Sequence, residues 1–360
     1  MGLRFEGETI EDETLEEIKP VKRRRRLKKP ALVGIILAGV LAVGCVAWVV
    51  IQRYFPNLTI GGSREEQFIA DTTGAYSDWT VIERISSDMG GGFAVQLPAG
   101  VNVEDIAIEN HYRDRALLIR LSGIKASDFA GTCVTGDVSD ITVVAWKAKD
   151  SEILISFQMS AIWEYEVTQE GANLLIKNTA VQELYDTVVV IDPIYVQGMT
   201  EDVTALVAES VAQYANEQGI KVYITRGSGT ERTEAERLAL VLDTEADYVI
   251  ELNISSDTNA DKYGLSAVYN DRYFSLNCDN VTVADTVLKA VATAVKNRAN
   301  SIEPADEGSL LMMLKQPSAG ISIGYSSNTE EYALLMNANY RDALAIGIYN
   351  GIAELVSAEQ

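Results

Sequence analysis

Histidine is almost missing from this chain: His111 is the single one in 360 residues. No centre that needs two imidazoles from the chain can be built, which removes the commonest donors of catalytic zinc sites. Cysteine is also scarce. Cys45, Cys133 and Cys278 show no CxxC spacing, so a thiolate zinc site is not supported. Two arrangements stay open for Cys133 and Cys278: a disulfide outside the cytoplasm, or two separate thiols. Positive charge is short as well, with 30 Lys and Arg against 52 Asp and Glu, a net charge of −22. Residues 1–30 hold nine basic and seven acidic residues, so the remainder has 30 − 9 = 21 basic and 52 − 7 = 45 acidic residues, a balance of −24. Such an acidic bulk repels nucleic acid, which is not expected as a partner, and reads as a well-hydrated surface. There is no GxGxxG or Walker pattern; Arg226-Gly227-Ser228-Gly229 reads as a turn.

What is present starts with a basic block, Lys22 to Lys29, inside a polar tail over 1–30. The 21 residues from Ala31 to Ile51 carry no charge. About 20 apolar residues span a bilayer core, so 31–52 is predicted to be a transmembrane helix. The basic flank puts the N-terminus in the cytoplasm and the bulk of the chain outside, with Trp48 and Tyr54 near the outer end of the span. Leu41 to Cys45 resembles a lipidation box, but the apolar run continues to Ile51, where a mature lipoprotein turns polar. Gly34, Ala38 and Ala42, four apart, fit either a helix-packing face or a lipid-facing one.

A polar linker, 53–66, leads to a β-rich region over 67–180. Phe93–Leu97, Ala116–Leu121, Asp140–Trp146, Ile153–Phe157, Ile162–Val167 and Ala172–Lys177 are candidate strands, separated by breakers such as Pro98-Ala99-Gly100 and Glu170-Gly171. The spacing predicts a small antiparallel β-domain without a catalytic pattern. His111 reads there as a loop residue, at the surface or hydrogen-bonded. Residues 181–360 alternate strand and helix, the sign of an α/β domain with a mostly parallel sheet. Thr187–Ile191 is a β-branched run ending in Asp192-Pro193. It is followed by a helix from Glu201 to about Gln218 and a strand over Lys221–Thr225. Further helices are expected over Thr233–Leu242, Asp285–Ala299 and Tyr340–Val356, and further strands over Asp247–Ile254, Leu265–Tyr269 and Gly320–Gly324. In open parallel sheets ligands sit at the carboxyl ends of strands, which directs attention to the loop after Asp192.

Five segments in order resemble the zinc-dependent N-acetylmuramoyl-L-alanine amidases of the type 3 cell-wall class. They are Asp192-Pro193-Ile194-Tyr195, Glu201-Asp202-Val203, Thr233 to Ala239 with Arg237, Ala246 to Ser255, and Ile321 to Asn328. The resemblance covers most of 187–357. It implies the amidase α/β fold, a peptidoglycan substrate and zinc held by two His and one Glu, with a further Glu activating water. It also makes the β-region similar to the AMIN-type domains that precede such enzymes.

The chain departs from that pattern where the chemistry sits. The family's two His positions are Tyr195 and Asn253, the position of the activating Glu is Ser322, and only Glu201 is retained. Catalytic zinc takes about three N, S or carboxylate ligands, and the metal supplies the activated water. No zinc and no catalytic residue are therefore predicted, although zinc is expected in the family. Asp192, Glu201, Glu251, Asn253 and Asp257 remain as candidate ligand-binding residues. They could converge on a hard cation through oxygen, hydrogen-bond a sugar or peptide, or serve as loop-facing polar groups and caps. The expectation is a membrane-anchored, extracytoplasmic amidase-like protein that binds peptidoglycan or an envelope protein without cutting it. An active amidase with an atypical site and a purely structural envelope module are the alternatives.

Overall fold

A computed structural model describes residues 78–88, 91–98, 101, 106–129, 132–149, 151–273 and 278–358. The predicted tail, the span 31–52 and the linker lie outside the described residues. Among the described residues, no helix is long and apolar enough to cross a membrane. The chain separates into two compact units, Met1–Arg53 and Tyr54–Gln360, and every described residue belongs to the second.

Ten strands make two five-stranded sheets. They are β1 (Thr80–Val81), β2 (Glu83–Ser86), β3 (Phe93–Gln96), β4 (Ile106–His111), β5 (Ala116–Ser122), β6 (Cys133–Gly136), β7 (Ile141–Lys149), β8 (Glu152–Met159), β9 (Glu164–Glu170) and β10 (Asn173–Thr179). The sheet orders are β1-β7-β8-β5-β4 and β2-β6-β3-β10-β9, all antiparallel except for the parallel pair β2–β6. Alternating side chains meet between the sheets, among them Phe93, Val95, Ile106, Leu117, Ile119, Ile155, Phe157 and Leu174, the arrangement that a period of two demands. His111 ends β4 instead of lying in a loop. Its ring is buried, with Nε2 2.9 Å from Glu109 Oε2. Cys133 and Cys278 are not joined in a disulfide.

The rest is one six-stranded sheet with helices. In chain order come β11 (Val188–Pro193), α1 (Val203–Glu217), β12 (Lys221–Ile224), α2 (Glu234–Asp243), β13 (Tyr248–Ser255), β14 (Leu265–Tyr269), α3 (Asn280–Val295), β15 (Ala299–Pro304), β16 (Ser318–Tyr325), α4 (Thr329–Leu335) and α5 (Ala338–Ala358). The strand order is β12-β11-β13-β16-β14-β15. The first four are parallel; β14 runs antiparallel to β16 and parallel to β15.

Alternation sends Val189, Ile191, Ile250, Leu252, Ile321 and Ile323 to one face, against Val203, Val207 and Val211 of α1, Val287 and Val291 of α3, and Ile348 and Ile352 of α5. The other face carries Val188, Val190 and Val249 against Leu240 and Val241 of α2 and a 3-10 turn, Leu310–Met313. Thr233 opens α2 with a reciprocal capping box to Glu236. Asp279 caps α3 through the Thr282 amide, so that helix begins five residues before the sequence pattern suggests and ends at Val295.

The β-rich part is packed against β12, the edge strand. Tyr112 Oη accepts from the Ile224 amide at 3.1 Å, and the Ile224 carbonyl accepts from Arg113 Nε at 2.8 Å. Glu164 of β9 receives both Lys221 Nζ and Tyr223 Oη at 2.6 Å. Ion pairs Arg115–Asp243 and Arg232–Asp114 join the two parts as well. Backbone groups of an edge strand that would otherwise be open to another chain are thereby covered from within the chain.

Candidate functional site

The carboxyl ends of β11, β13 and β16 face the loop after Pro193, and three arrangements occur there. The first is built on Asp192. It is fully buried on the α2 side of the sheet; its Oδ1 accepts from Thr225 Oγ1 at 2.5 Å and its Oδ2 from Arg237 Nη1 of α2. Glu251 is its register partner on β13. Burial first, then the charge of Asp192, pushes the Glu251 carboxyl up to about 7.

The second is the loop from β11 to α1, folded on Arg226. Its Nε donates to the Pro193 carbonyl at 2.6 Å, and its guanidinium meets Asp202 at 2.5 and 2.9 Å and Thr204 Oγ1 at 3.1 Å. The ring of Tyr195, nearly half exposed, lies 5.6 Å from that guanidinium. Glu201 pairs with Arg341 of α5 at 3.1 Å.

The third lies on β13 and β16. Asn253 is the register partner of Ser322. Its Oδ1 accepts from the next amide, Ile254, at 2.8 Å. Past a register shift the Ser255 amide donates to Ser322 Oγ at 3.1 Å, and the two hydroxyls are 2.7 Å apart. Asp257 is held farther out by Lys262 at 2.6 Å, which lowers its carboxyl below the ordinary value.

Residues 194–354 match the family model of N-acetylmuramoyl-L-alanine amidase, Amidase_3. This part of the chain is thus similar to the Amidase_3 family. The chain is 28% identical over 168 residues to the germination-specific N-acetylmuramoyl-L-alanine amidase of Bacillus subtilis (strain 168), covering 43% of this chain and 69% of that protein. Among solved structures it is similar to the catalytic domain of CwlV, an amidase from Bacillus (Paenibacillus) polymyxa var. colistinus, at 20% identity and TM-score 0.43 over 48% of this chain and 99% of that one. The N-acetylmuramoyl-L-alanine amidase of Clostridium difficile 630 stands at 21% and 0.44 over 48% and 97%. The β-rich residues lie outside the family match.

Within the matched residues, the four positions that the motif resemblance sets against zinc ligands and a base have separate engagements. Tyr195 lies by Arg226, Glu201 is paired with Arg341, and Asn253 and Ser322 are neighbours across β13 and β16. A phenol, an amide and a hydroxyl offer no ready substitute for imidazole or carboxylate, and the one carboxylate is occupied by a guanidinium; this set does not fit a catalytic zinc ion. Of the four acidic candidates for an oxygen-bound cation, the fold brings Asp192 and Glu251 together and sends Glu201 and Asp257 to different cations. No group of three His, Cys, Asp or Glu suited to a metal occurs among the described residues. Sequence reasoning gave no role to Arg226, Arg237 or Thr225, which hold this end of the sheet. An Arg directly after a strand and before Gly227 was the available signal.

Proposed function

We propose that this amidase-like protein acts at the cell wall as a binding module and does not hydrolyse peptidoglycan. The observation that carries the reading is the pairing of Glu201 with Arg341, beside positions 195, 253 and 322 that hold a phenol, an amide and a hydroxyl. Without a metal-held water or an alternative base at these positions, attack on an amide bond has no activated nucleophile. The half-exposed Tyr195 ring and the half-buried Asn253 and Ser322 offer stacking and hydrogen bonds to a glycan strand or stem peptide. The uncharged run 31–51 behind a basic block supports anchoring in the cell membrane with the described residues outside. An envelope protein is the second candidate partner.

The similarity to a germination-specific amidase favours one competing reading, an active enzyme with an unusual site. The two are separated by loading the full-length protein with zinc, dialysing it, measuring bound metal and incubating it with purified peptidoglycan. The binding-module reading expects no stoichiometric zinc, no released stem peptide and retention of the protein on sedimented peptidoglycan. Stoichiometric zinc together with released stem peptides overturns it. Loss of retention with no cleavage moves the assignment to an envelope-protein partner.

A further inference from the structure

Glu251 takes no part in the reading above, and its surroundings are unusual for a carboxyl. A Cβ built on Gly320 would come within 2.7 Å of Val268 Cγ2, 3.0 Å of Leu311 Cδ1 and 3.5 Å of Glu251 Oε1. The carboxyl and two apolar side chains therefore converge over a position that has no side chain of its own. Among the described residues, none donates a hydrogen bond to Glu251. The charged groups facing it are Asp192 from β11 and Glu234 and Arg237 from α2. Gly320 of β16, Val268 of β14 and Leu311 of the 3-10 turn contribute none. Two carboxyls and one guanidinium thus face Glu251, and that guanidinium is already bonded to Asp192.

We propose that Glu251 makes the seating of α2 on the sheet proton-dependent, firm at acidic pH and looser as the pH rises to neutrality. With Glu251 neutral, the Asp192–Arg237 pair has no ionised neighbour on β13. With Glu251 ionised, two adjacent carboxylates share one Arg in a site walled by Val268 and Leu311, and their repulsion falls on the contact that holds α2 down.

The sign follows from the shift. The closed state keeps the Glu251 proton up to about 7, whereas an opened or unfolded state releases it at the ordinary value of 4.5. Between those two values the closed state binds the extra proton, so the closed state loses stability as pH rises, and above the folded value the loss is complete. At acidic pH, below 4.5, the contribution is fully present.

The test is hydrogen exchange of the α2 amides in the full-length protein, corrected for intrinsic exchange, from acidic to neutral pH. The opening equilibrium of α2 is expected to rise at least about tenfold across that window, while the amides of α5 change far less. Glu251→Gln, which keeps the shape and cannot ionise, is expected to abolish the rise. A rise of equal size in Glu251→Gln overturns the proposal. Carbon NMR of the side-chain carboxyls in the unmodified protein gives an independent check. A Glu251 midpoint near neutrality supports the proposal, and a midpoint at the ordinary carboxylate value refutes it even where the variant is poorly folded.

Discussion

Replacing Gly347 and Gly351 by Ala isolates the contact that holds two of the three helices on the buried face. These glycines lie four apart on α5 and are both buried against α3. A Cβ at Gly347 would stand 2.7 Å from Val291 Cα and 3.0 Å from Ala294 Cβ; one at Gly351 would stand 2.8 Å from Val287 Cα and 3.2 Å from Val287 Cγ2. The nearest atoms are backbone, so no rotamer change relieves the overlap. The helices must separate by roughly half an ångström or more to regain ordinary contact, against a core packed at crystal-like density. On an exposed helix, Gly→Ala gains about 1 kcal/mol from propensity. Overpacking costs about 1–3 kcal/mol, so the net expectation is a loss of about 1 kcal/mol for each single variant. The double variant should lose less than the sum, because one displacement of α5 serves both sites. Urea denaturation measures this, with Asn350→Ala on the exposed side of α5 as the control that gains a few tenths of a kcal/mol. A rise in the urea midpoint for Gly347→Ala would refute the close-packing argument.

Glu164→Ala removes the shared acceptor of Lys221 and Tyr223 between the two parts of the described chain; a loss of about 3 kcal/mol is expected by urea denaturation, since a buried ammonium is left unpaired. Thr233→Ala breaks the capping box of α2 and should cost about 1 kcal/mol by the same assay. Glu331→Gln places an amide NH2 among donors, because Glu331 now accepts from the amides of Gly264 and Tyr325 and from Asn297. About 1–3 kcal/mol should be lost, and exchange at those two amides should accelerate; unchanged exchange there would refute the role of Glu331 in holding the loops.

The buried strands of the α/β part were legible because β-branched runs such as Val188–Ile191 stay strand-like wherever they are placed. β15 was not: Ala-Asn-Ser-Ile-Glu-Pro has no strand composition, and it becomes a strand by pairing with β14 at an exposed edge. β4 and β6 were missed as well, although Ile106-Ala107-Ile108 alternates in retrospect. The start of α3 was readable in Asp279 and Thr282, a capping signal obscured by the polar residues around it.

Composition alone determined that two imidazoles cannot meet in this chain, and motif order alone singled out Tyr195, Glu201, Asn253 and Ser322 by their resemblance to amidase motifs. Where each of those side chains would find its partner was beyond the sequence. Glu201 meets Arg341 from 140 positions later, and Asp192 meets Arg237 from α2. Such pairings depend on how the sheet register and the helix packing bring distant segments together, and no local pattern encodes them. The same holds for Glu251: a glutamate in a strand reads as an ordinary polar residue, and its burial beside a second carboxyl exists only because β11, β13 and β16 lie side by side under α2.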